Sequence, residues 1–244
     1  MKAETTDIQR PSQNLIDAFA NVGSATASGE LHKLGIRDPQ LHGLFSRISG
    51  KSVVGPALTL QFLPKREDLY NVDEYAHPEK QMHRHALYHT EPGDVVVVDA
   101  RSDMSSGVFG DMMLTYFKGR GGIGVFVDGC IRDFPKVQKL GLGLWTRGVT
   151  PNYHTQTNIF PYAVNVPIAC GGTVVMPGDI IIADDDGTVV VPIALAPKLA
   201  LVANQHSEWE DFSRMKLEQG GDLRRYYPLS DDARKEYEEW KKNQ

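Results

Sequence analysis

The sequence predicts a layered α/β protein, an α/β or α/β/β sandwich in which helices and strands alternate before a run of consecutive strands. Three observations predict it. Two runs bounded by turn residues, GDVVVVDA at 93–100 and GVFVDG at 124–129, are apolar at nearly every position, as in strands buried on both faces. Between them, DMMLTYFK at 111–118 suits a helix that ends at Gly119. Further on, TVVMPGDIIIADDDGTVVVP at 173–192 reads as three short strands joined by Pro-Gly and Asp-Gly turns, with no room for a helix.

The remaining elements follow in order. Residues 14–48 read as helices broken at Gly23, Gly29 and Gly35, with Ser24, Thr26 and Ser28 as N-cap candidates for a short helix beginning SGELHKLG. Val53 to Phe62 is rich in branched residues and β-like, and Pro64 closes it. The polar stretch 65–91 carries His77, His83, His85 and His89, and its part EKQMHRHALYHTE suits a helix closed by Pro92-Gly93. LGLWTRGV at 142–149 and VNVPIA at 164–169 are the expected third and fourth strands. A helix near 193–218, a break at Gly220-Gly221 and a charged, helical tail complete the chain. The expected organisation is one domain over residues 1–221 with a tail over 222–244.

Composition narrows the function. The 244 residues are 41% apolar and 23% charged, enough to bury a core without disulfides. A net charge of -5 with no basic stripe argues against nucleic acid as a partner. The two cysteines, Cys130 and Cys170, sit singly in apolar stretches and form no metal-type pair. Neither a signal-peptide core nor an apolar run of about 18 residues occurs, so a cytoplasmic protein without a membrane partner is expected.

Three motifs could carry chemistry. Gly119 to Gly124, GRGGIG, satisfies GxGxxG but follows a helix and enters a strand, the reverse of a dinucleotide site; it reads as a tight turn. His85 and His89 have the i, i+4 spacing of metal ligands, yet no third ligand is defined, so a polar helix face with one histidine turned inward is the plainer reading. The strongest motif joins Gly110-Asp111-Met112-Met113, at a helix start, to Arg132-Asp133, just past the strand 124–129. Twenty residues separate Asp111 from Arg132, the length of a helix, a turn and a strand, so both can border one cleft. A helix N-terminus suits a carboxylate, Arg132 can grip an oxyanion, and Asp111 and Asp133 are hard ligands of the type Mg²⁺ or Mn²⁺ prefers.

Set among HALYHTEPGDVVVVDA, GVFGDMM, GGIGVFVDGCIRD and VNVPIACGGTVVMPGDIIIADDDGTVVVP, this motif resembles the class II pyruvate aldolases. The nearest groups are the 4-hydroxy-4-methyl-2-oxoglutarate and 4-carboxy-4-hydroxy-2-oxoadipate aldolases, whose superfamily includes the regulators of ribonuclease E activity A. The resemblance covers roughly residues 20–215. It implies an α/β/β sandwich related to the swivelling phosphohistidine domain, assembled as homotrimers or homohexamers. It also implies retro-aldol cleavage of 4-hydroxy-2-oxo acids to pyruvate, with oxaloacetate decarboxylation as a side activity.

Carried over by position, Asp133 would ligate a divalent metal and Asp111 would hold it through water. Arg132 would bind the pyruvyl oxygen, and the start of the helix at Gly110, Met112 and Met113 would hold the substrate carboxylate. The family commonly has an acidic residue where this chain has Lys136, and Trp-Gly where it has Phe109-Gly110. Some members take a carboxylate from a neighbouring subunit, for which Glu208, Glu210 and Asp211 are candidates here. The alternative is a non-catalytic binding regulator.

Overall fold

Successive valines of one strand serve two different hydrophobic layers, and that alternation organises the molecule. The computed structural model describes residues 5–70 and 76–243. In chain order the elements are α1 (Gln13–Asp17), α2 (Ser24–Lys33), β1 (Phe45–Ser46), β2 (Val53–Pro64), α3 (Met82–Tyr88), β3 (Val95–Gly107), α4 (Asp111–Gly119), β4 (Gly124–Ile131), α5 (Phe134–Val137) and β5 (Gly143–Val149). They continue with β6 (Ile159–Val164), β7 (Ile168–Cys170), β8 (Thr173–Val175), β9 (Ile180–Ala183), β10 (Thr188–Val191), α6 (Ala196–Glu218), α7 (Leu223–Tyr226) and α8 (Asp231–Lys241).

The main sheet runs β1-β5-β4-β3-β2-β9-β10, with β6 also on β2. Its centre, β2 to β5, is parallel, as crossovers through α3, α4 and α5 require. β2 is long enough to serve three partners: it pairs with β3 along one side, and with β9 and then β6 along the other. Val96 and Val98 pack with Leu114, Phe117 and Leu87 under the helices. Val95 and Val97 point the other way, onto Phe126, Trp145, Ile168 and Ile181. There Phe126 and Trp145 stack at 4.8 Å, and the indole Nε1 donates to the Asp184 carbonyl at 2.9 Å. The outer face of β9 and β10 is covered by α2 and α6. The fold is thus the expected layered α/β/β arrangement, a curled mixed sheet with helices outside.

Several local expectations change. Gly29 does not break a helix but lies inside α2, which starts at Ser24 rather than at Ser28. Ser24 is held there by Asp184, whose carboxylate accepts from both its amide and its hydroxyl, a contact 160 residues away. VNVPIA is not a strand: β6 ends at Val164, Asn165 turns with φ 53°, and β7 begins at Ile168. The strand after Pro92-Gly93 runs on to Gly107, past the expected end at Ala100. Beyond Gly220-Gly221, α7 and α8 fold back, so that Phe212 of α6 packs with Leu229, Ala233 and Tyr237.

Candidate functional site

The site forms where the chain leaving β3 is tied to the end of β4. The Val108 amide donates to the Cys130 carbonyl at 3.0 Å, and the Arg132 amide to the Phe109 carbonyl at 2.9 Å. These bonds bring the start of α4 beside Arg132 and Asp133. Gly110 is the N-cap residue, and a Cβ there would lie 2.7 Å from Asp133 Oδ2 and 2.8 Å from Arg132 Nε. Any larger residue there would have to push one of these two side chains aside. Asp133 itself has left-handed backbone, φ 57° and ψ 29°, which aspartate tolerates better than most residues and which is often found at functional turns.

Four charges meet at this point in two pairs. Arg132 Nε lies 3.4 Å from Asp133 Oδ2, and Lys136 Nζ lies 3.2 Å from Asp111 Oδ2. The Lys136 ammonium holds the Asp111 carboxyl below its ordinary value. The Asp111 amide faces Asp133 Oδ2 at 3.5 Å, so the two carboxylates lie side by side. The Arg132 guanidinium also sits over the Tyr153 ring, 5.7 Å from its centroid. In the first turn of α4 the amides of Met112 and Met113 have no earlier helical carbonyl to bond, the arrangement that accepts an anion.

Of these residues Gly110, Asp111, Met112, Met113, Arg132 and Tyr153 border one cleft of about 240 Å³, smaller than the usual 300–1,000 Å³ of a drug-sized ligand site and suited to a small organic acid. Gly110, Asp111, Met112, Met113 and Arg132 therefore converge, as their spacing predicts, with Asp133 directly behind Arg132. The opposite wall comes from α3 and its approach: Gln81, His83 and Arg84, joined by Tyr153 and His154. None of these five was singled out as a cleft residue from sequence. The histidines of 65–91 drew attention, but their spacing said nothing about which one faces α4.

The histidines do not gather around a metal. His85 Nε2 lies 2.9 Å from the Glu79 carbonyl oxygen, whereas His89 Nε2 lies 2.8 Å from Thr5 Oγ1. His83 is 3% exposed and meets His154 edge-on at 4.5 Å. Two histidines of α3, His83 and His85, are turned inward, where one was expected. GRGGIG joins the end of α4 to β4, the turn its context suggested.

Among the described residues, no group of three or more His, Cys, Asp or Glu side chains is placed to hold a metal ion. The adjacent carboxylates of Asp111 and Asp133 nonetheless fit a hard cation, because Mg²⁺ commonly takes one or two carboxylates and completes its shell with water and substrate oxygens. Of the acids on α6, Glu208 accepts from Lys241 Nζ at 2.8 Å, and Glu210 lies 3.1 Å from His206 Nε2. Within the chain, both are thus paired away from the cleft.

The sequence model of the RraA-like family, described as Aldolase/RraA, matches residues 12–190, and the chain belongs to that family. A Halalkalibacterium halodurans protein with the provisional name 4-hydroxy-4-methyl-2-oxoglutarate aldolase is 41% identical over 107 residues, 44% of this chain. The match spans about half of that relative, 50% of its length. Among solved structures, Streptomyces coelicolor RraAS2, described as an unusual member of the RNase ES inhibitor RraA protein family, is 45% identical with a TM-score of 0.76. It covers 85% of this chain and 98% of its own. An uncharacterized protein of Pseudomonas syringae pv. tomato is 27% identical, with a TM-score of 0.75 over 89% of this chain and 98% of its own. No described helix is long and apolar enough to cross a membrane.

Proposed function

We propose that the chain is a divalent-metal-dependent lyase. It cleaves 4-hydroxy-2-oxo acids by a retro-aldol reaction to pyruvate and a second carbonyl compound, and it decarboxylates oxaloacetate as a side reaction. The observation that carries this reading is the meeting of three kinds of group at one cleft: the first-turn amides of α4, the Arg132 guanidinium and the Asp111 carboxylate, with Asp133 beside Arg132 and Asp111. The relative named as an aldolase supports it.

The residues divide the work by their chemistry. The amides of Met112 and Met113 bind the carboxylate of the 2-oxo acid and orient it. Arg132 donates to the 2-oxo oxygen, where negative charge grows as the C3–C4 bond breaks, so its help is larger in the transition state than in the ground state. Asp133, with Asp111 through water, would hold Mg²⁺ or Mn²⁺, which when bound supplies Lewis-acid polarisation of the same oxygen. Both reactions leave the electrons of the broken bond in a pyruvate enolate, which explains why one site would serve both.

A second reading, a binding regulator, is favoured by the 45% identity to a member of the RNase ES inhibitor family. Pyruvate release from 4-hydroxy-2-oxo acids and from oxaloacetate, with Mg²⁺ and with EDTA, separates the two. Release that needs the metal is expected. No release from any such acid, with metal present and the protein folded, would leave the regulator.

A further inference from the structure

We propose that Tyr153 is the positioning residue for Arg132: its ring holds the guanidinium so that the N–H edge stays available to the cleft. The inference rests on the lyase reading for the reaction, while the positioning itself is read by binding.

Arg132 needs such a support because its charged partner does not supply one. Asp133 Oδ2 lies 3.4 Å from its Nε, in a pair whose side chains are 36% and 34% exposed. Water and ions open pairs of this kind at small cost, so the pair leaves the guanidinium room to turn. An arginine that turns spends part of its time misaligned, and misplacement of about 1 Å at a reacting group is costly in rate.

The Tyr153 ring supplies the missing constraint. The guanidinium carbon sits over that ring, 5.7 Å from the centroid, and both residues border the cleft. A guanidinium resting against an aromatic ring is held by the ring's negative face, yet it keeps its planar N–H edge for an oxygen. Tyr153 is only half-buried, so its ring is not placed there to fill the core.

The backbone behind the two residues is fixed as well. Gly107, at the end of β3, donates its amide to the Asn152 carbonyl at 3.0 Å and forms a parallel bridge with Tyr153. A Cβ on Gly107 would fall 2.6 Å from the Asn152 oxygen and 2.8 Å from Arg132 Cβ. One residue before Arg132, the Ile131 carbonyl accepts from the Thr150 amide at 3.0 Å. Three chain segments are thus packed at one point, and the ring cannot drift from the guanidinium as a tyrosine on a loose loop would.

The test uses oxalate as an unreactive probe on the whole chain in Mg²⁺, because its adjacent carboxylates resemble the enolate of pyruvate in shape and charge. Calorimetry gives the oxalate affinity, and pyruvate release from oxaloacetate gives kcat and KM separately. Tyr153→Leu and Tyr153→Gln both remove the ring. Each should weaken oxalate and lower kcat on the order of tenfold, with little change in KM. Tyr153→Phe keeps the ring face and should recover most of both losses. In Arg132→Ala, removing the ring should cost nothing further, because the ring acts only through that guanidinium. A parent that binds no oxalate, ring-free variants with the parent's affinity, a phenylalanine variant as poor as they are, or an added loss on top of Arg132→Ala would each overturn the role. So would a lower melting temperature with unchanged oxalate affinity in the folded fraction. If the parent binds oxalate but releases no pyruvate, the lyase reading fails, and the oxalate series still decides the positioning.

Discussion

At the outer end of the cleft four charges cancel in two half-exposed pairs, Arg132 with Asp133 and Lys136 with Asp111. On the opposite wall, by contrast, the imidazole of His83 is buried and held neutral, and no described carboxylate balances the guanidinium of Arg84 that follows it. Exposed ion pairs are worth roughly 0–1 kcal/mol, so the outer groups can exchange partners with a substrate or a cation at small cost. Buried polar groups are costly to leave unsatisfied, so the two walls differ in how readily their groups can change partners.

The largest effect is expected at the mouth, from Arg132. Arg132→Ala should lower kcat on the order of 10²–10³-fold for both aldol cleavage and oxaloacetate decarboxylation. Its melting temperature should hardly move, because the side chain is 36% exposed. Arg132→Lys keeps the charge without the planar fork and should recover only part of the rate. Near-normal kcat in both variants would remove Arg132 from the reaction.

Gly110→Ala asks whether the mouth depends on close approach. The added Cβ must displace Asp133 or Arg132, and a shift near 1 Å at a reacting group costs on the order of 10²-fold in kcat/KM. Full activity in this variant would mean that the helix start and the Arg132-Asp133 turn move independently.

Lys136 gives a smaller effect of opposite sign. With its ammonium on Asp111, the mouth has no net charge to attract a cation. Lys136→Met should tighten Mn²⁺ binding on the order of tenfold, read by electron paramagnetic resonance without any turnover. Asp133→Ala should abolish that binding and leave the full signal of free Mn²⁺. Unchanged Mn²⁺ affinity in the lysine variant would show that Asp111 is not part of the cation site.

The smallest effect concerns His83 on the opposite wall and its pH response. The folded protein holds His83 well below the ordinary histidine value, so it stays neutral where the unfolded chain, titrating near 6.5, takes up a proton. The unfolded state then binds more protons, and stability falls as pH falls below about 6.5, by up to about 1.4 kcal/mol per pH unit for this one group. Urea unfolding of the parent and His83→Phe at pH 7.5 and 5.5 checks it: the variant should lose less stability on acidification. Equal losses would mean that position 83 is not a buried neutral imidazole.

Much of this molecule was legible because its signals are local. The valine runs 95–98 and 189–191 need both faces covered whatever surrounds them, and they are strands. The Pro177-Gly178 and Asp186-Gly187 turns and the helix start at Asp111 follow from backbone preferences alone. Spacing was enough to bring Asp111 to Arg132, since a helix and a parallel strand leave few other places for the chain to return. β6 escaped notice because Pro161 interrupts it; the sheet accommodates that proline where β2 shifts register between Gln61 and Phe62. The extension of β3 through two consecutive left-handed residues, Arg101 and Ser102, likewise has no local signature.

Local chemistry was therefore sufficient for the layered α/β class, for the helix that presents its N-terminus, and for the residue types proposed to hold a 2-oxo acid. That α3 lies across from α4 came from long-range packing. It made His83 and Arg84 walls of the same cleft as Arg132, a neighbourhood that no spacing along the chain announces. The physical reason is that a titratable side chain in a polar helix carries no local sign of its burial. Whether it meets solvent or a ligand is set by how β2, β3 and β6 pair beneath it.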